Sequence, residues 1–93
     1  MSCLVLIPGP LRELANNRRE VRLEGGAASI SDALALLWKE CPAVKDRVLT
    51  ERGEVRPHVN IFVDGENIRY AGGMSAAVGD DAEIMIVPAV SGG

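Results

Sequence analysis

The one clear helix in this chain is SISDALALLWKECP, Ser29–Pro42, and it limits what can be built around it. Ile30, Ala33, Leu34, Leu37, Trp38 and Cys41 recur at intervals of three and four and form one apolar stripe. Ser29 stands where its side chain can cap the first turn. Asp32 follows in the capping-box position, where its charge also suits the helix dipole. Pro42 ends the helix because it lacks an amide hydrogen and clashes with the preceding turn. Trp38 lies on the stripe and is therefore core or core edge rather than a platform for a ligand. A short second helix, AVKDRVL, follows with Val44 and Val48 facing inward.

The remaining apolar segments read as strands. CLVLI, Cys3 to Ile7, is closed by Pro8-Gly9-Pro10, which forces a turn. REVRL, Arg19 to Leu23, alternates polar and apolar at period two and ends at Gly25-Gly26. These two are close enough in sequence to pair as an antiparallel hairpin with a long loop. HVNIFVDGENIRY is a second hairpin, with Asp64-Gly65 as a type I′ turn. AGGMSAAVGDDA reads as loop. EIMIV, Glu83 to Val87, is the last strand, closed by Pro88.

The order strand, strand, helix, strand, strand, strand predicts an α+β fold, a mixed sheet of about five strands with one main helix on one face. The chain returning from the helix places a later strand parallel to the first. That arrangement is the β-grasp, the fold of ubiquitin. Residues 1–88 are expected to form this domain and residues 89–93 an extended, flexible tail.

A single helix leaves the other sheet face open. If Cys3, Val5 and Ile7 point toward the helix, Leu4 and Leu6 point away. By the same alternation Val59, Ile61, Val63, Ile84 and Ile86 face inward, while His58, Asn60, Phe62 and Met85 face outward. Leu4, Leu6, Phe62 and Met85 then make an uncovered apolar cluster, the mark of a protein-docking surface.

Composition removes several function classes. The 93 residues carry 10 basic and 13 acidic side chains, a net charge of −3, which is the wrong sign for a sequence-independent hold on nucleic acid. No apolar run reaches membrane-spanning length and the N-terminus lacks a signal-peptide pattern, so a cytoplasmic chain with no membrane partner is expected. Arg12, Arg18, Arg19 and Arg22 form a local basic cluster that serves either as a solvated hairpin face or as a dock for an acidic partner surface. Cys3, Cys41 and His58 supply no metal set. Both cysteines read as small hydrophobes, and a Cys41–His58 nucleophilic pair has no third orienting group. Gly72-Gly73 precedes no helix and is loop geometry, not a phosphate cradle. The interior holds no acid–base pair and no nucleophile elbow, so no catalysis is expected of it.

The chain closes with VPAVSGG. Glycine loses more freedom on ordering than any other residue, so two in succession add nothing to a folded end. Together with PHVNIFVDGENIR, the AGG at Ala71–Gly73 and DDAEIMIVPAVSGG, this ending resembles the ThiS/MoaD family of ubiquitin-like sulfur carriers, nearest its MoaD and CysO branch. The resemblance runs from the first strand to the last residue. It departs where such carriers often have Asp-Gly-Asp before the last strand and Pro-Pro after it; here Gly79-Asp80-Asp81 and Pro88-Ala89 stand instead.

The resemblance implies a chemistry at the backbone terminus. The Gly93 carboxylate would be joined to AMP from ATP by an activating enzyme, an adenylyltransferase and sulfurtransferase related to those of the ubiquitin pathway. Sulfide or a partner's persulfide would then convert it to a thiocarboxylate. Ala89, Val90, Ser91 and Gly92 would thread the tail into that enzyme, and later into a sulfur-acceptor enzyme resembling cysteine synthase or molybdopterin synthase. A metalloprotease that trims or releases the tail is a further implied partner. The chain itself would bind no cofactor and act as a co-substrate. The alternatives are a ubiquitin-like modifier joined to other proteins through Gly93, and a plain β-grasp interaction domain.

Overall fold

The computed structural model describes residues 2–88, and the expected tail, Ala89–Gly93, lies outside them. Five strands form one sheet: β1 (Ser2–Leu6), β2 (Glu20–Glu24), β3 (Val59–Val63), β4 (Glu66–Asn67) and β5 (Glu83–Pro88), in the order β2-β1-β5-β3-β4. β1 pairs antiparallel with β2 and parallel with β5, and β3 pairs antiparallel with both β5 and β4. The strand parallel to the first is the last one, and it takes the centre of the sheet. This is the β-grasp topology.

Helix α1 (Ile30–Glu40) covers one face. Ser29 Oγ accepts from the Asp32 amide at 3.2 Å, filling one of the orphan donors of the first turn. Ile30, Ala33, Leu34 and Leu37 are buried with Val5, Val59, Ile61, Ile84 and Ile86 in one core. Each fully buried aliphatic side chain of this kind stabilises the fold by about 1.5–3 kcal/mol. Trp38 is half-buried and packs on the edge of that core. Cys41 breaks the helix at φ −136°, and Pro42 occupies the first turn of α2 (Pro42–Val48), where its missing N–H costs nothing. Val44 and Val48 of α2 are buried.

Four local expectations need correction. β1 and β2 sit one residue from their expected positions, because Ser2 pairs with Glu24 while Ile7 and Arg19 lie just past the paired registers. They are still tied, the Ile7 amide donating to the Arg19 carbonyl at 2.7 Å. The long loop between these strands is not open chain: Gly9–Ala15 forms a 3-10 helix that buries Leu11 and Ala15. It ends on two left-handed residues, Asn16 and Asn17. The second hairpin turns as expected, with Asp64 at φ 49° and Gly65 at φ 87°. Its return strand, however, stops after two residues, because Ile68 turns inward through a 3-10 turn, Ile68–Tyr70, to join the core. Finally, AGGMSAAVGDDA is partly structured. Gly73–Ser75 is a 3-10 turn, the Ala76 carbonyl accepts from the Ile30 amide at 2.9 Å, and Ala76 and Val78 are buried beside α1.

Candidate functional site

The face of the sheet opposite α1 carries the residues the alternation sends outward. Strand pairing fixes their order. Across one row, Glu20, Leu6, Met85, Phe62 and Asn67 follow one another on β2, β1, β5, β3 and β4. In the next row toward the start of β5, Leu4 stands between Arg22 and Glu83. Leu4, Leu6 and Phe62 are half-buried by these neighbours, and Met85 is 40% exposed.

All four outward residues therefore share one face, but not equally. Leu6, Met85 and Phe62 form an unbroken apolar stripe across three strands, while Leu4 joins it only along β1 and is flanked by charge.

Val87 belongs to this face too. It is 37% exposed, two residues beyond Met85 on β5 and opposite Asn60 of β3. The same alternation that places Met85 outward places Val87 outward, so the signal lay in the sequence. An open groove of about 310 Å³ is floored by Leu6, Met85 and Val87, with Arg12, Arg19 and Glu20 among its walls. It lies at the end of the sheet where β5 finishes.

The basic cluster does not stay together. Arg18 turns to the helical side, pairing with Glu40 at 3.4 Å and donating to Cys41 Sγ at 3.3 Å. An exposed pair of this kind contributes no more than about 1 kcal/mol. Arg22 lies midway along the edge strand β2 and donates to Ser2 Oγ. Arg12 and Arg19 alone border the groove. Arg12 is held by its own backbone, Nε donating to the Ile7 carbonyl at 3.0 Å.

Neither cysteine is placed for chemistry. Cys3 is buried in β1, where desolvation pushes its thiol pKa up and disfavours the reactive thiolate. Cys41 is buried where α1 meets α2. His58 is exposed before β3, in a shallow cleft with Asp46, Arg47 and Arg56. No hydrogen bond joins it to Cys41 among the described residues. Among those residues no cluster of three His, Cys, Asp or Glu side chains could hold a metal, and no helix is long and apolar enough to cross a membrane. The site residues expected in the tail, Ala89, Val90, Ser91, Gly92 and Gly93, lie outside the described residues.

The chain as a whole matches a known family. The ThiS family model covers residues 5–93. The chain belongs to the ThiS family. Sulfur carrier protein CysO of Mycobacterium tuberculosis is 32% identical over 97 aligned positions that span both chains completely. Small archaeal modifier protein 1 of Haloferax volcanii is 39% identical over 84 residues, 89% of this chain and 91% of its own. In the crystal structure of the Amycolatopsis orientalis BexX/CysO complex, one chain superposes with a TM-score of 0.88 at 28% identity, covering 98% of this chain and 99% of that one. This ThiS-family chain is thus a relative of sulfur carrier proteins and of small ubiquitin-like modifiers.

Proposed function

We propose that this ThiS-family protein carries sulfur as a thiocarboxylate on Gly93. The observation that carries the reading is the continuity of the Leu6–Met85–Phe62 stripe with β5, whose last residue, Pro88, is followed in the sequence by Ala-Val-Ser-Gly-Gly. Residues 1–88 act as the body, and Ala89–Gly93 as the tail. The stripe, with Leu4 and Val87 at its margins, docks the body on an activating enzyme while the tail enters that enzyme's nucleotide site.

The chemistry balances simply. One oxygen of the Gly93 carboxylate, ionised at neutral pH because a terminal carboxyl has a pKa of about 3.5, attacks the α-phosphorus of ATP. Pyrophosphate leaves and an acyl adenylate forms. Hydrosulfide then attacks the acyl carbon, the bond to the AMP oxygen breaks, and AMP departs with that electron pair. The product is the thiocarboxylate, which a biosynthetic enzyme for cysteine, molybdopterin or a thio-metabolite accepts as its sulfur source. Glycines suit the tail because no side chain obstructs the backbone's approach to the nucleotide.

Intact mass spectrometry of the protein from its own host tests this. The expected species is heavier by the difference between sulfur and oxygen and is absent when Gly93 is deleted. Unmodified mass only, even after incubation with host extract, ATP and sulfide, overturns the reading in favour of a plain interaction domain. The 39% identity to a small archaeal modifier protein favours one second reading, conjugation through Gly93. It begins from the same adenylate and would show as larger adducts on other proteins.

A further inference from the structure

We infer that the point where the chain leaves the sheet is ringed by arginines, and that this collar seats against an acidic rim around the channel of the partner that receives the tail. The inference rests on the carrier reading above and names the partner's surface chemistry.

Strand pairing puts the residues in place. β5 ends at Pro88, opposite Val59 of β3. On that side Arg69 donates from one terminal nitrogen to the carbonyls of Pro57, at 2.9 Å, and Val59, at 3.3 Å. Its guanidinium is therefore clamped beside the residue that pairs with Pro88. On the opposite flank β1 runs out at Leu6, level with Met85. There Arg12 is fastened to the Ile7 carbonyl, and Arg19 lines the same groove as Met85 and Val87. The exit of β5 thus lies between Arg69 on one side and Arg12 with Arg19 on the other.

These cations are held by backbone oxygens or by nothing. The one ion pair among the described residues is Arg18–Glu40, which involves none of these three. A guanidinium has five N–H donors in a fixed fork, so an arginine that spends one on a carbonyl is positioned without being neutralised. One carboxylate, Glu20, shares the groove with Arg12 and Arg19.

The other end of the sheet is mainly acidic, although Arg22 also reaches it through Ser2 Oγ. Asp81 bonds the Ser2 carbonyl through its amide, Asp64 accepts from the Glu83 amide, and Glu24 pairs with Ser2. A chain with net charge −3 thus sets three arginines about the place where it must enter a partner.

Distance decides what the ring can touch. Five residues separate Pro88 from Gly93, at most about 18 Å of extended chain. When the tip reaches the nucleotide, the collar stays outside at the channel mouth. It cannot assist the reaction at Gly93; it steers and orients the approach, an effect that acts on association and fades with salt.

The test is ATP–pyrophosphate exchange by the activating enzyme of the same host, at about 0.02 M and about 0.5 M salt. Arg19→Glu, an exposed change that breaks no hydrogen bond, and the double change Arg12→Gln/Arg69→Gln should each raise the KM for the carrier about tenfold at low salt. The gap should close at high salt, with kcat unchanged. Glu24→Gln at the far end should change neither. Equal KM values at low salt, or a loss confined to kcat, overturn the collar while leaving the carrier reading intact. No exchange with the wild-type chain would sink the carrier reading itself. The collar then stands or falls on an NMR titration with a hexaglutamate peptide, in which the Nε–H signals of Arg12, Arg19 and Arg69 should shift more than those of Arg47 and Arg52. Equal shifts at all five overturn it.

Discussion

Met85 and Phe62 stand directly opposite one another on β5 and β3, on the sheet face that no helix covers, with Leu6 completing the stripe from β1. The side chain of Met85 is 40% exposed, whereas Ile84 and Ile86 on either side are fully buried. Replacing Met85 should therefore separate docking from folding. Met85→Asp is expected to cost no more than about 1 kcal/mol in stability, as exposed substitutions do. It should raise the carrier concentration that half-saturates adenylation by at least about tenfold, since it puts a charge at the centre of an apolar contact. Ile86→Asp, one residue on, should not give a folded protein. Thermal melts beside pyrophosphate exchange check both.

Ser29→Ala removes the one side-chain cap on α1, the Oγ that accepts from the Asp32 amide. The expected loss is about 1 kcal/mol, which for a domain of this size lowers Tm by about 4–8 °C. Ser29→Asp should restore most of it. Circular dichroism melts of the three proteins decide the point.

Gly65 sits at φ 87° in the β3–β4 turn, with open space where a Cβ would be. Its substitution cost is therefore conformational rather than steric. Gly65→Val is expected to destabilise by about 1–2 kcal/mol, and Gly65→Asn by less, because asparagine tolerates the left-handed region. Denaturant midpoints at constant m-value would show the ranking.

Cys3 gives the fold a pH dependence. Burial pushes its thiol above the ordinary value, so on raising the pH the unfolded chain loses this proton before the native one. Stability is fully present below the unfolded thiol pKa of about 8.5 and is lost as pH rises through the folded value. Cys3→Ala should flatten the alkaline limb of a stability–pH curve. The double variant Cys3→Ala/Cys41→Ala should still acquire the sulfur-loaded mass, since the proposed chemistry puts the sulfur on Gly93 and on neither thiol.

The parts of this fold that repeat a simple period were legible in the sequence. Ile30, Ala33, Leu34 and Leu37 announce α1, and the alternation around Ile61 and Ile86 assigns both faces of the sheet. What escaped depends on contacts between distant segments. Gly9–Ala15 becomes a 3-10 helix because Leu11 and Ala15 find the core, and nothing in GPLRELA alone specifies that. β4 is cut short because Ile68 is drawn inward. The four arginines near the first hairpin look like one cluster along the chain. Glu40, a distant residue, takes Arg18 out of it, and Arg69, fifty residues beyond Arg19, stands across the sheet exit from Arg12 and Arg19. The stripe needed only period two; the collar needed strand order.

The central place of β5 has a mechanical consequence. The strand is bonded on one side to β1 and on the other to β3. A pull applied at Pro88 along the strand strains both ladders in shear at once, instead of peeling them one bond at a time. Resistance to such forced unfolding is set by the unfolding rate rather than by equilibrium stability. The body behaves as an anchor for whatever draws on its end, because two ladders share the load that one would otherwise carry.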